Sequence, residues 1–235
     1  MKIKAVLFDL DGTLLPMDQD NFVKSYVMGL VGHLVACGYD AEKSLAAIKE
    51  GTAAMQKSNG ETTNEEVFFS VFNEILGAER AIFGDLFDGF YKTEFDKVRA
   101  VCGFEPRSKE IIKLVRDKGL VPVLATNPLF PSVATESRIR WAGLEPTDFA
   151  HFTTYETYRS CKPSIRYYRD VLGNIGLTPE ECVMVGNDVD EDMVAAELGL
   201  KTFLLTDCLL NRNNKDISVY PHGSFDELKE FINNL

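Results

Sequence analysis

The chain lacks cysteines at metal or redox spacing. Its five (Cys37, Cys102, Cys161, Cys182 and Cys208) are odd in number, widely scattered and form no C-x-x-C pair. Neither a disulfide scaffold nor a zinc site is expected, and the thiols read as reduced and mostly packed. Long hydrophobic runs are missing too. The charge-free stretch Ser25 to Tyr39 has 15 residues and includes His33, too short to span a bilayer. The apolar stretch after Lys4 is four residues long before Asp9 interrupts it, too little for a signal-peptide core, so the expected location is the cytoplasm. Positive charge is scarce: 25 Lys and Arg against 36 Asp and Glu give a net charge of −11. Such a surface repels nucleic-acid backbones and anionic membranes, which excludes both as main partners. An anionic ligand would need a locally positive pocket. No internal repeat or low-complexity tract is visible, and 235 residues suffice for one large domain or a core with an insertion.

What is present begins with Asp9-Leu10-Asp11-Gly12-Thr13, directly behind the apolar run Ala5-Val6-Leu7-Phe8. Two carboxylates two residues apart at the end of an extended segment point the same way, and Gly12 then permits a sharp turn. At about 4 Å and an effective dielectric near 20 they would repel by roughly 4 kcal/mol, so a cation or a shared proton is needed. An EF-hand is excluded by spacing. Counting Asp9 as position one puts Leu14 where the loop needs Gly and Asp20 where it needs Glu, and the run starting at Asp188 fails in the same way.

From about residue 20 to residue 100 the periodicity predicts four helices, with breaks near Gly38, Asn59-Gly60 and Gly77. Phe83, Phe87, Phe90, Tyr91 and Phe95 recur at helical steps as one apolar stripe, read as bundle core rather than as substrate contacts. From Gly103 onward helices alternate with the short apolar runs Leu120 to Ala125, Cys182 to Val185 and Lys201 to Leu205. That alternation predicts βαβ units and a parallel sheet. Pro122 is accommodated if the strand starts near it. The expected architecture is an α/β Rossmann-like core, residues 1–16 with 103–235, carrying an all-helical insertion over 17–102.

The Asp9-x-Asp11-Gly12-Thr13 string resembles the first signature of the haloacid dehalogenase superfamily, whose phosphatase members often carry an inserted helical cap. Three further stretches follow in that family's order. Thr126-Asn127, closing a strand, resembles the second signature; these two residues could equally cap a helix beginning near Pro131. Lys162-Pro163, before a helix running to about Leu172 with Pro163 expected in its first turn, resembles the third. Gly186-Asn187-Asp188-Val189-Asp190-Glu191-Asp192 resembles the fourth, although Asn187 stands where the family often has Asp. A helix is expected over Asp190 to Leu198, with some of these acids complementing its dipole.

The resemblance implies a phosphatase acting on a small phosphorylated metabolite. Asp9 would be the nucleophile and Asp11 the acid and base; Thr126, Asn127 and Lys162 would bind the phosphoryl group. The crowd of carboxylates and the all-oxygen donor set point to Mg2+, held by Asp9, the backbone carbonyl of Asp11, and Asp188 or Asn187, with Asp188 the better hard-oxygen ligand. Asp192 would orient the site through Lys162 or a metal-bound water. A phosphomutase of the same superfamily, or a non-catalytic phosphate- and metal-binding regulatory module, are the alternatives. Dehalogenases lack an acid at the Asp11 position. Phosphonate cleavage would need a lysine from the insertion, and none of Lys24, Lys43, Lys49, Lys57 and Lys92 stands out. The sequence names neither the substrate nor the oligomeric state.

Overall fold

A computed structural model describes residues 2–77 and 80–235, with the side chains of residues 80–83 outside the description. The short strand β1, Ala5–Phe8, is fully buried. Four helices follow: α1 (Gln19–Ala36), α2 (Ala41–Gln56), α3 (Asn64–Leu76) and α4 (Arg80–Thr93), then a 3-10 turn over Phe95–Val101. Each of the first three starts at an oxygen-bearing cap: Asp18 accepts from the Asn21 amide, Asp40 from Lys43, and Thr63 from Glu66. These caps satisfy amides that would otherwise lack a partner at the helix start. The chain then returns through α5 (Arg107–Asp117), β2 (Val121–Leu124), α6 (Ser132–Trp141), α7 (Ile165–Ile175), β3 (Cys182–Gly186), β4 (Lys201–Leu205), β5 (His222–Gly223) and α8 (Phe225–Asn233).

The five strands are all parallel, in the order β2-β1-β3-β4-β5. Alternate residues of β1 serve the two faces. Val6 and Phe8 join the cluster containing Ile111 and Val115 of α5 and Leu228 and Ile232 of α8; Ala5 and Leu7 join the cluster containing Tyr167, Val171 and Leu172 of α7. Helices thus cover both faces, as a doubly wound parallel sheet requires. Pro122 sits in β2, at the sheet edge, where a missing amide is tolerated.

The four helices leave and rejoin the sheet region at one place. Met17 and Cys102 form an antiparallel bridge, and the Gly103 amide donates to the Pro16 carbonyl at 2.7 Å. Phe87, Phe90, Tyr91 and Phe95 are buried; the side chain of Phe83 lies outside the described residues. Phe95 stacks on Trp141 of α6 with ring centroids 4.9 Å apart, fastening the insertion to the rest. No described helix is long and apolar enough to cross a membrane. The described cysteines are all free thiols, with Cys161 and Cys182 buried and Cys37 exposed.

Three local expectations are corrected. Residues 190–198 form no α-helix. A 3-10 helix spans Met193–Leu198, because the amides of Asp188, Asp190 and Glu191 are taken by the side chains of Asp192 and Asp188. Thr126 and Asn127 do not cap α6: its cap position is Pro131, with no side-chain bond. Pro163 lies one residue before the Ser164 cap of α7 rather than in its first turn.

Candidate active site

The strand order reverses around β1, since β2 lies on one side of it and β3 on the other. Ligands of open parallel sheets bind in the crevice that such a reversal opens at the carboxyl ends of the strands. Asp9 and Asp11 follow β1, Thr126 and Asn127 follow β2, and Asn187, Asp188 and Asp192 follow β3. All seven line a cavity of about 70 Å³, together with Glu191 and Arg212.

Lys162 enters this crevice from the loop before α7. Its side chain is 1% exposed, and its ammonium lies 2.8 Å from Asp9 Oδ1 and 2.6 Å from Asp192 Oδ1. Burial acts to strip its proton, but the two carboxylates outweigh it and hold the ammonium well above its ordinary pKa. The other Asp9 oxygen accepts from the Thr13 hydroxyl at 3.2 Å. Asp192 is buried, and desolvation raises its carboxyl pKa against the pull of Lys162. Two close approaches explain glycines here. Gly12 has φ +85°, and a side chain there would overlap the Asn187 amide; one at Gly186 would overlap the Asp192 carboxylate.

Asn187 and Asp188 are used differently. Asn187 Oδ1 accepts from Thr13 at 2.9 Å and its Nδ2 donates to the Cys208 carbonyl at 2.7 Å, so both ends of the amide are committed to protein. Asp188 Oδ1 accepts the amides of Asp190 and Glu191 at 2.8 and 3.0 Å, while Oδ2 meets Arg212 at 3.0 Å. A cation bound at Asp188 would compete with Arg212. Asn127 joins two strand ends: its Oδ1 accepts from the Lys162 amide at 3.3 Å and its Nδ2 donates to Glu191 at 3.0 Å. Thr126 is buried, and its carbonyl is held by the hydroxyls of Thr153 and Tyr167.

Asp11 has a partner that sequence reasoning missed. Arg138, on α6 and fully buried, pairs with Asp11 Oδ2 and lies 4.1 Å from the Phe130 ring centroid. Asp11 Oδ1 is buried with no hydrogen-bond partner. Burial raises the Asp11 carboxyl to about 6 despite Arg138, near the working range of a group that must both give and take a proton. Thr13, Glu191 and Arg212 were also not anticipated as site residues. Thr13, inside the first signature string, and Glu191, inside the acidic run, carried a signal; Arg212 carried none.

Among the described residues no three or more His, Cys, Asp or Glu side chains form a metal cluster. A site built from two carboxylates and a backbone carbonyl needs no such cluster. The cavity's donors are all oxygens, and its five acids (Asp9, Asp11, Asp188, Glu191 and Asp192) face few cations. The orphaned Asp11 oxygen adds to the case that a ligand completes it. That chemistry suits a hard divalent ion.

The sequence matches the family model of haloacid dehalogenase-like hydrolases over residues 3–199. The chain belongs to that family. It is 22% identical to the glyceraldehyde 3-phosphate phosphatase of Methanocaldococcus jannaschii, over 251 aligned positions covering 99% of this chain and 98% of the relative. Among solved structures it resembles a HAD phosphatase from Thermococcus onnurineus (TM-score 0.60, 20% identity, 98% of each chain covered). It also resembles a HAD-hydrolase from Bacillus subtilis determined bound to magnesium (TM-score 0.59, 19% identity, covering 99% of this chain and 100% of the other). The parallel sheet and its helices are the fold these proteins share.

Proposed function

We propose that the chain hydrolyses the phosphate monoester of a small metabolite, in a magnesium-dependent reaction that passes through a phosphoryl group on Asp9. The observation that carries this reading is the convergence of Asp9, Asp11 and Asp188 on one small cavity, with the buried Lys162 ammonium bridging Asp9 and Asp192. Family membership supports it, as does a full-length relative whose name is that of a sugar-phosphate phosphatase.

An Asp9 oxygen attacks phosphorus as the bond to the substrate's alcohol oxygen breaks. Lys162 holds Asp9 in place and offsets the repulsion between the carboxylate and the incoming phosphate. Asp11 gives its proton to the departing alkoxide. A water then attacks phosphorus, Asp11 takes that water's proton, and phosphate leaves with Asp9 regenerated. Thr126 and Asn127 border the phosphoryl site. Magnesium would be held by Asp9, the Asp11 carbonyl and Asp188, where it supplies charge neutralisation for the phosphoryl oxygens. Residues 17–102 act as a cap over the core formed by 1–16 and 103–235.

A cavity of about 710 Å³ lies beside the carboxylates, walled by Val23, Val27 and Met28 of α1, Leu45 and Lys49 of α2, and Phe130. A phospho-acceptor signalling module has no use for a space of that size, so it favours turnover of a bound substrate. Incubation with p-nitrophenyl phosphate, with and without magnesium, tests the proposal. Release of p-nitrophenolate that needs magnesium and is lost in Asp9→Asn is expected. Undiminished release in Asp9→Asn removes the nucleophile and the proposal with it.

A further inference from the structure

A second, smaller cavity of about 100 Å³ lies among the cap helices, with Leu129, Phe130 and Tyr155 of the core forming part of its wall. Phe22, Ile48, Phe68, Phe87 and Tyr91 are among its walls, all buried. The stripe on α4 thus does more than pack: Phe87 and Tyr91 border an open space. This cavity shares Val23, Val27 and Thr52 with the 710 Å³ cavity, which in turn shares Asp11, Asn127 and Glu191 with the catalytic crevice. One residue lines all three spaces. It is Gln19, the first residue of α1, and its Oε1 is buried without a hydrogen-bond partner. Buried carbonyl oxygens are nearly always satisfied, so a ligand donor at the junction would complete this one.

Resting on the phosphatase reading, we propose that the substrate is a phosphomonoester whose alcohol ends in an apolar group seated in the cap cavity, with a hydroxyl or N–H between that group and the phosphate donating to Gln19 Oε1. A cavity of about 150 Å³ lined by aliphatic and aromatic side chains holds a benzene ring, so about 100 Å³ suits an apolar chain of roughly four carbons. A three-carbon polar phosphate would leave this space empty. Tyr26 and Tyr91, whose hydroxyls lie 2.9 Å apart, use their polar ends on each other, which leaves this wall apolar toward a guest.

Two series test the proposal on the full-length protein with magnesium. kcat/KM for n-alkyl phosphates, methyl to hexyl, should climb by roughly fourfold for each methylene that enters the cavity and then level off. Dissociation constants of the matching n-alkylphosphonates, read by calorimetry, should fall in parallel with an increasingly negative heat-capacity change. In Val27→Phe, which fills the junction, the hexyl-to-methyl ratio should drop toward one. A mid-chain hydroxyl should tighten phosphonate binding to the wild type and not to Gln19→Met. Turnover with phosphonate affinities flat in chain length overturns the subsite alone, making the cavity a packing void. So does a chain-length dependence that survives in Val27→Phe. Climbing affinities with no turnover of any ester overturn the phosphatase reading and leave the subsite standing.

Discussion

Replacing Lys162 with Met should cost this protein about 3–5 kcal/mol of stability, the usual loss when one member of a buried ion pair is removed. The side chains of Lys162 and Asp192 are each 1% exposed and that of Asp9 is 11% exposed, so two carboxylates would be left beside an apolar thioether. At the observed 2.6 and 2.8 Å and an effective dielectric near 20, each attraction is about 6 kcal/mol, which several kcal/mol of desolvation per ion largely offsets. The pair is therefore worth little against neutral neighbours, and much against a half-empty site. Consequently Lys162→Met/Asp192→Asn should be more stable than Lys162→Met by about 1–3 kcal/mol, a coupling of the size expected for residues in contact. Urea denaturation of wild type, both single variants and the double variant, with unchanged m-values, measures each corner of the cycle. Additive losses, or a loss below about 1 kcal/mol for Lys162→Met, would refute the claim that this ammonium is the counter-charge of the crevice.

Three further outcomes follow from the same geometry. Arg138→Lys keeps the charge but loses the planar contact with Phe130 and the fixed direction of the bond to Asp11; kcat should fall about tenfold or more with KM little changed, and an unchanged kcat would show that Asp11 is positioned without it. Gly12→Ala places a methyl group against the Asn187 amide at φ +85°; a loss of about 1–3 kcal/mol by thermal or chemical denaturation is expected from the strained backbone, and full stability would mean the turn is softer than drawn. His151 has its pKa depressed by burial, so its folded form resists a proton that the unfolded chain accepts. Stability it contributes above the ordinary value of 6.5 should be lost as pH falls through 6.5 toward the lower folded value. His151→Gln should flatten that part of the stability profile, and an unchanged slope would assign the loss to other groups.

Much of this architecture is written in local pattern. The run Lys201 to Leu205 is a strand with the bounds its apolar composition gives it, and the helices break near Gly38, Asn59-Gly60 and Gly77 because capping residues and glycines act within a few positions. The meeting of these residues in one crevice was legible for a related reason: strand ends in a parallel sheet all open on one edge, so motifs at strand ends must meet. Arg138 was not legible. Ser137-Arg138-Ile139-Arg140 offers two arginines, and only the packing of α6 decides that Arg138 is fully buried against Asp11 while Arg140 makes exposed pairs with Glu136 and Glu145. The false helix over 190–198 failed for an electrostatic reason: the acids that promise a helix start instead capture the amides of their own loop. Partner choice among many acids is a three-dimensional matter.

The same partner choice resolves how an acidic protein can receive an anion. Net charge governs approach from a distance, where salt screens it within about 8–10 Å; inside the crevice the few nearby charges decide. There Lys162 is already bound to two carboxylates and Arg212 to a third, so neither cation alone makes the pocket positive. A phosphate can enter only if added positive charge offsets Asp9, Asp188 and their neighbours. Chelation should therefore abolish binding of a phosphonate as well as turnover of a phosphate. If phosphonate affinity is unchanged by chelation, read by calorimetry, the anion is being held by Lys162 and Arg212 alone, and the charge argument for a divalent ion fails.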